Sequence, residues 1–186
     1  MTSFPLHTSE TAPEASKPHL ERAQKAFGFV PNLFAGLATS PVAVEAYGTL
    51  SSIFAKSSLN ATERQIVTMT NNRLNGCTYC MAAHTTSALA AGVPESVVGA
   101  LRKAQPLDDE KLEALRQFSI VVNEKRGQVS GYDLTQLTDA GYSQETALEV
   151  IVATALKVIS NYANHLLNTP TDDQFSANSW LSAETA

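Results

Sequence analysis

Apolar residues in this chain recur at intervals of three and four, the spacing that lines up side chains along one side of an α-helix. Ala43, Tyr47, Leu50 and Phe54 form one such face, just after Ser40-Pro41, a pair that supplies an N-cap and a proline for the first helical position. Ile66, Val67, Thr70 and Leu74 line the expected buried side of the next helix. Asn60 caps that helix, and Glu63 three residues later completes a capping box. Asn75-Gly76 ends it, because both residues tolerate left-handed backbone. Ala82 to Ala91 carry a further helix to Gly92, and Pro94 opens another. Asp108-Asp109 starts a segment in which Leu112, Leu115, Phe118 and Val122 share a face, with Gly127 as its stop. Ser143 caps the last strong helix, where Leu148, Ile151, Ala155, Val158 and Tyr162 repeat at the same intervals. Shorter helices are expected from Pro18 to Gly28 and after Pro31.

Alternating apolar and polar runs bounded by hairpin turns are missing, so no sheet is expected. The pattern predicts an all-α, single-domain helical bundle over residues 18–175. Residues 1–17, rich in Ser, Thr, Glu and Pro, read as a mobile or draped arm. Residues 176–186 form a C-terminal tail, in which Trp180-Leu181 is expected to dock at a surface that the residues do not identify.

Composition narrows the function. The chain has 186 residues, enough for one sizeable core, and 44% of them are hydrophobic. Thirteen basic and eighteen acidic residues leave a net charge of −5 with no long run of either sign. Such a surface attracts neither nucleic acid nor an anionic membrane. The first thirty residues lack a basic start followed by an apolar run. No apolar stretch is expected to approach the roughly 20 residues that span a bilayer. The expectation is a soluble cytoplasmic protein, in which two cysteines are reduced thiols rather than a disulfide framework.

Those two cysteines, Cys77 and Cys80, stand two residues apart directly after the Asn75-Gly76 break, and His84 follows one turn later. A helix N-terminus favours thiolate over thiol through its unpaired N–H groups. Spacings of three and four place Cys77, Cys80 and His84 on one helix face, where His84 can help deprotonate Cys80 directly or through a water. The small residues Ala82, Ala83, Thr85, Thr86 and Ser87 leave room around them. Two blander readings stand beside this one: a pair of small core hydrophobes, or a structural zinc with His165 as fourth ligand. Covalent haem is excluded, because Met81 stands where its attachment motif needs histidine.

The stretches Glu63-Arg64-Gln65-Ile66-Val67 and Asn75-Gly76-Cys77-Thr78-Tyr79-Cys80-Met81-Ala82-Ala83-His84 resemble the core motif of the alkyl hydroperoxidase D-like (AhpD-like) family, within the carboxymuconolactone decarboxylase superfamily. Phe27-Gly28-Phe29-Val30-Pro31-Asn32-Leu33-Phe34, Asn161-Tyr162-Ala163-Asn164-His165, Thr169-Pro170 and Asp172 extend the similarity to its peroxidase-like branch, over about residues 20 to 175. The resemblance implies a homo-oligomer, trimeric or hexameric, that reduces hydroperoxides without a cofactor or metal. It assigns Cys80 as the peroxidatic thiolate, Cys77 as the resolving thiol and His84 as proton relay. A dithiol partner of lipoyl or thioredoxin type would reopen the disulfide. One position departs from the family. Its relay glutamate, twelve residues before the first cysteine, is Gln65 here, and an amide cannot pass a proton as a carboxylate does. Glu63 is the candidate replacement, although two residues turn it by roughly 200° on a helix and the capping box explains it equally well. His165 reads more readily as a satisfied interior histidine than as a catalytic one.

Two other functions remain open. One is a decarboxylase or lactone-processing enzyme of the same superfamily, which would not need a thiol pair. The other is a redox-sensing oligomer without turnover, whose disulfide changes its assembly.

Overall fold

Side chains that cap backbone N–H groups set where most of the helices begin. In a computed structural model, which describes residues 4–181, Ser40 accepts from the Ala43 N–H and opens α3 (Pro41–Phe54). Asn60 and Glu63 form the expected capping box at α4 (Ala61–Leu74). Asp109 and Ser143 cap α7 (Glu110–Glu124) and α9 (Gln144–Leu167). Around these lie α1 (Lys17–Phe27), α2 (Asn32–Leu37), α5 (Thr78–Ala90), α6 (Glu95–Lys103) and α8 (Gly131–Asp139), with 3-10 turns at Glu14–Ser16 and Asp173–Asn178. There is no strand among the described residues, so the all-α expectation is met. The helix α8 was not marked in the sequence. Its start is a second capping box, formed by Ser130 and Asp133.

The central element is α4, which packs against α5, α6, α7 and α9. Its Ile66, Val67 and Met69 are buried among Leu115, Phe118 and Val122 of α7 and Val150, Ala153 and Leu156 of α9. Leu74, expected on the buried side, is exposed, because the side of the last turn of α4 that meets α9 is taken by Asn72 and Asn75. In its place Asn71 and Asn72 are fully buried. A smaller apolar cluster joins Leu33, Leu37 and Val44 to Cys77, Tyr79, Cys80, Ala82 and Phe175.

The largest departure concerns α9. The repeating stripe faces outward: Leu148 is 66% exposed, Tyr162 58% and Leu166 72%, with Ile151 and Val158 also exposed. The face turned to the core carries Val150, Ala153, Leu156, Lys157, Ser160, Asn161 and Asn164. Small residues and amides let α9 approach α4 and exchange side-chain hydrogen bonds with it, which a row of bulky aliphatic residues would prevent. The helix is also long and apolar enough, by length and composition, to cross a membrane, contrary to expectation. Its polar buried face is that of a core helix.

Both ends of the chain lie on the bundle. The His7 N–H donates to the Ala35 carbonyl at 3.1 Å, and Ser16 Oγ donates to the Ala38 carbonyl at 2.8 Å. Beyond α9, Phe175 packs into the smaller cluster, and Trp180 Nε1 donates to the Arg102 carbonyl at 3.2 Å. The tail therefore docks on its own subunit as far as Trp180, and residues 1–3 and 182–186 lie outside the described range.

An amide ladder joins α4 and α9. Asn161 Nδ2 donates to Asn72 Oδ1 at 3.0 Å, Asn75 Nδ2 to Asn161 Oδ1 at 2.8 Å, and Asn72 Nδ2 to the Cys80 carbonyl at 3.2 Å. Replacing Asn72 with Ala strands the Asn161 amide and the Cys80 carbonyl in a buried site. Urea unfolding should show a loss of about 2–4 kcal/mol with an unchanged m-value. A loss under about 0.5 kcal/mol would mean that water replaces the ladder.

Candidate active site around Cys77 and Cys80

Gly76, at φ 64°, turns the chain out of α4, and the Cys77 N–H donates back to the Asn72 carbonyl at 2.9 Å. Cys77 is thereby the N-cap of α5 rather than a residue of its first turn, and its sulfur accepts from the Cys80 N–H at 3.4 Å. Both thiols are free and buried. Asn164 of α9 straddles them. Its Nδ2 donates to Cys80 Sγ at 3.1 Å and reaches Cys77 Sγ at 3.8 Å.

The two sulfurs differ in character. Burial pushes the Cys80 thiol up, but the hydrogen bond from Cys77, the charge of Lys157 and the amides of Asn161 and Asn164 hold it below its ordinary value. Cys77 is pushed up, first by its hydrogen bond to Cys80 and then by burial. These surroundings favour the proton on Cys77 and negative charge on Cys80.

Lys157 is the residue that the sequence reading missed. Its side chain is 1% exposed, and Nζ lies 3.1 Å from His84 Nε2. Burial, then the charge of Lys157, keep the His84 pKa well below the usual imidazole value, so the ring is neutral. An ammonium can only donate, so Nε2 accepts from Lys157 and the proton sits on Nδ1, which donates to Gln65 Oε1 at 2.9 Å. Thr68 Oγ1 stands 3.3 Å from the same Nδ1. His84 therefore orients Lys157, and its hydrogen bonds go to Lys157, Gln65 and Thr68 rather than to either thiol. A signal for Lys157 exists in the sequence: it is the sole Asp, Glu, Lys or Arg between Val150 and Leu167.

Other candidates lie elsewhere. Glu63 Oε2 accepts from the Asn60 N–H at 2.8 Å and Oε1 from the Tyr142 hydroxyl at 3.0 Å, so both its oxygens serve the cap and the α8–α9 junction. His165, the expected interior histidine and possible zinc ligand, is exposed on α9. Among the described residues no three His, Cys, Asp or Glu side chains form a group that could hold a metal.

A cavity of about 170 Å³ opens beside His84. Its walls include His84, Gln65, Tyr79, Ala83 and Ser87 of the site, together with Phe34, Tyr47 and Phe175. Tyr47 also packs against the cluster that contains both cysteines. Thr85, expected to leave room, is instead buried and accepts from Arg102. Tyr79 pins the returning C-terminal segment over the site, donating to Asp172 Oδ2 at 2.6 Å, while Asp172 also accepts from the Asn32 N–H at 3.1 Å.

Comparison with known proteins gives a family segment and a shared fold. Residues 43–118 match the model of the carboxymuconolactone decarboxylase family. No curated protein is significantly similar to the chain. Among solved structures, the alkylhydroperoxidase AhpD core of an uncharacterized peroxidase-related protein from Ralstonia eutropha JMP134 superposes with a TM-score of 0.80 at 23% identity, over 92% of this chain and 93% of that one. An uncharacterized peroxidase-related protein from Silicibacter sp. TM1040 gives 0.78 at 18%, over 94% and 92%. The debrominase Bmp8, as its C82A variant in complex with 2,3,4-tribromopyrrole, gives 0.78 at 20%, over 96% and 95%. The resemblance read from the sequence is borne out: the AhpD-like fold carries the segment of the carboxymuconolactone decarboxylase superfamily.

The charge on Lys157 is a lowering influence on Cys80, so removing it must raise the thiol's titration. The alkylation rate of Cys80 measured against pH should show a midpoint below the unperturbed value of about 8.5. Lys157→Met should move it up by about one unit or more, and His84→Ala should move it less, since the ring is neutral. An unmoved midpoint in Lys157→Met would remove the ammonium from the account.

Proposed function

We propose that this chain, an AhpD-like fold bearing the carboxymuconolactone decarboxylase segment, is a thiol-dependent hydroperoxide reductase with Cys80 as its nucleophile. The observation that supports the reading most is the asymmetric thiol pair: a lowered Cys80 and a raised Cys77 bridged by the Asn164 amide, with a buried ammonium nearby. A structural pair would not need one sulfur held as thiolate.

In this reading the Cys80 thiolate attacks the terminal oxygen of the hydroperoxide. The O–O bond breaks, Cys80 becomes a sulfenic acid, and the departing alkoxide takes a proton from the Lys157 ammonium. His84 Nε2 holds that ammonium in position. Cys77 then attacks the Cys80 sulfur, forming the disulfide, and its proton leaves with the hydroxide as water. One hydroperoxide and two thiols give one alcohol, one water and one disulfide. An external dithiol reopens the bond and returns a proton to Lys157. The burial of both sulfurs favours a slim lipoyl-type arm over the broad face of a thioredoxin-type protein. This cycle needs no metal or prosthetic group, and a reducing compartment such as the cytoplasm would sustain it.

The outward stripe of α9 supports self-association. Leu148, Ile151, Val158, Tyr162 and Leu166 form an apolar ridge along one helix, and the proposed occupant is a second copy of the chain. Light scattering should find an oligomer for the native protein. The double substitution Ile151→Asp with Tyr162→Asp should yield folded monomers, and an unchanged mass would place the interface elsewhere.

Stopped-flow mixing of reduced protein with excess organic hydroperoxide tests the chemistry. Both thiols should disappear much faster than those of free dithiothreitol. Cys80→Ser should abolish the reaction, and Cys77→Ser should stop at a sulfenic acid that dimedone traps. Oxidation no faster than that of dithiothreitol would overturn the peroxidase reading. Turnover of a lactone or acid substrate that survives in Cys80→Ser would favour the decarboxylase alternative, and a disulfide that changes only the assembly would favour the sensor.

A further inference from the structure

A fold that also houses a debrominase does not name its substrate, so the cavity's own walls must. The cavity beside His84 shares Phe27, Phe34, Tyr47 and Ser51 with a second lobe of about 230 Å³ that extends to α1. Together the lobes reach the lower range of small-molecule sites. Aromatic rings pack against one another to form their common wall: Phe34 and Tyr47 meet edge-on at 5.2 Å and Phe27 and Phe34 lie tilted at 6.0 Å, centroid to centroid.

The far lobe has one sign of charge. Arg22 and His19 line it, and no Asp or Glu does. Arg22 forms no ion pair among the described residues. Its Nη2 lies 3.0 Å from His19 Nδ1, and its Nε donates weakly to the Pro18 carbonyl at 3.4 Å. A guanidinium without a carboxylate partner, at the outer end of an aromatic cavity in a chain of net charge −5, is a ready anchor for an anion. Its planar fork matches a carboxylate in two-point contact.

We propose that Arg22 binds the carboxylate of an acidic organic hydroperoxide whose apolar body lies along the wall of Phe27, Phe34 and Tyr47, with its peroxide end toward Tyr47 and the cluster that holds Cys80. The substrate class is thus an aromatic or branched hydroperoxide bearing a carboxylate at the end remote from the peroxide. This rests on the peroxidase reading for the reaction, while the anion subsite stands on the cavity alone.

Two measurements separate the two ideas. In the first, 4-isopropylbenzoate and its neutral amide are titrated into the reduced protein. The benzoate should bind more tightly, the preference should weaken with salt, and Arg22→Gln should lower it about fivefold or more, with Arg22→Lys recovering part. Equal binding of acid and amide would overturn the subsite whatever the chemistry. In the second, cumene hydroperoxide carrying a para-carboxylate is compared with its methyl ester in thiol oxidation. The native protein should favour the acid, and Arg22→Gln should reduce the acid-to-ester rate ratio about fivefold or more. A ratio untouched by Arg22→Gln would sink the proposal. Arg22-dependent binding of the benzoate without oxidation by any hydroperoxide would keep the subsite and discard the peroxidase reading.

Discussion

The site depends on the burial of one positive charge. Lys157 sits almost wholly out of water, and its recorded side-chain partner is a neutral imidazole. A buried ammonium is costly unless something negative balances it. The described acids nearest to the core are engaged elsewhere, Glu63 by Asn60 and Tyr142 and Asp172 by Tyr79 and Asn32. The group left to carry the balancing charge is the Cys80 sulfur. The same low-dielectric surroundings that penalise each charge alone strengthen the attraction between them, so thiolate and ammonium sustain each other. Gln65 suits this arrangement. A carboxylate there would compete with the sulfur for the ammonium through His84, whereas an amide accepts the Nδ1 proton and adds no charge.

Placing a lysine and two cysteines together takes a rigid frame, and the amides provide it. Asn72 receives the Cys77 N–H on its backbone carbonyl and sends its own side-chain amide to the Cys80 carbonyl. Asn161 and Asn164, a turn apart on α9, bind α4 and the sulfurs respectively. The thiol-bearing end of α5 is thereby registered against α9 by polar contacts whose geometry is directional. Apolar packing alone would allow more slip.

What could be read from the chain was mostly local. Ser40, Asn60, Asp109 and Ser143 announce helix starts because a cap acts within three residues, and the structure uses all four. The cysteines and His84 were legible as a group for the same reason. Their partners were not, because Lys157 and Asn164 lie about eighty residues away and reach His84 and the sulfurs, respectively, only through the packing of α9. Periodicity misled at α9 itself. It reports that an apolar stripe exists, yet from Val150 to Leu167 both sides of that helix are free of Asp, Glu, Lys and Arg apart from Lys157, and the core took the side with small residues and amides. Glu63 illustrates the limit of motif reasoning: a carboxylate near the expected position proved to be occupied by its own cap and by Tyr142.

The helix α9 leaves little of its surface uncommitted. One side holds the ammonium and the amides, the opposite side carries the apolar ridge, and on its flank Glu149 accepts from the Ser58 N–H and hydroxyl. A substitution almost anywhere along it would disturb the surroundings of the thiols, the exposed ridge or the α3–α4 connection. Neutral drift should therefore pass α9 by and accumulate in α8 and the exposed turns, so that descendants of this chain would stay recognisable by their last long helix after the rest had changed.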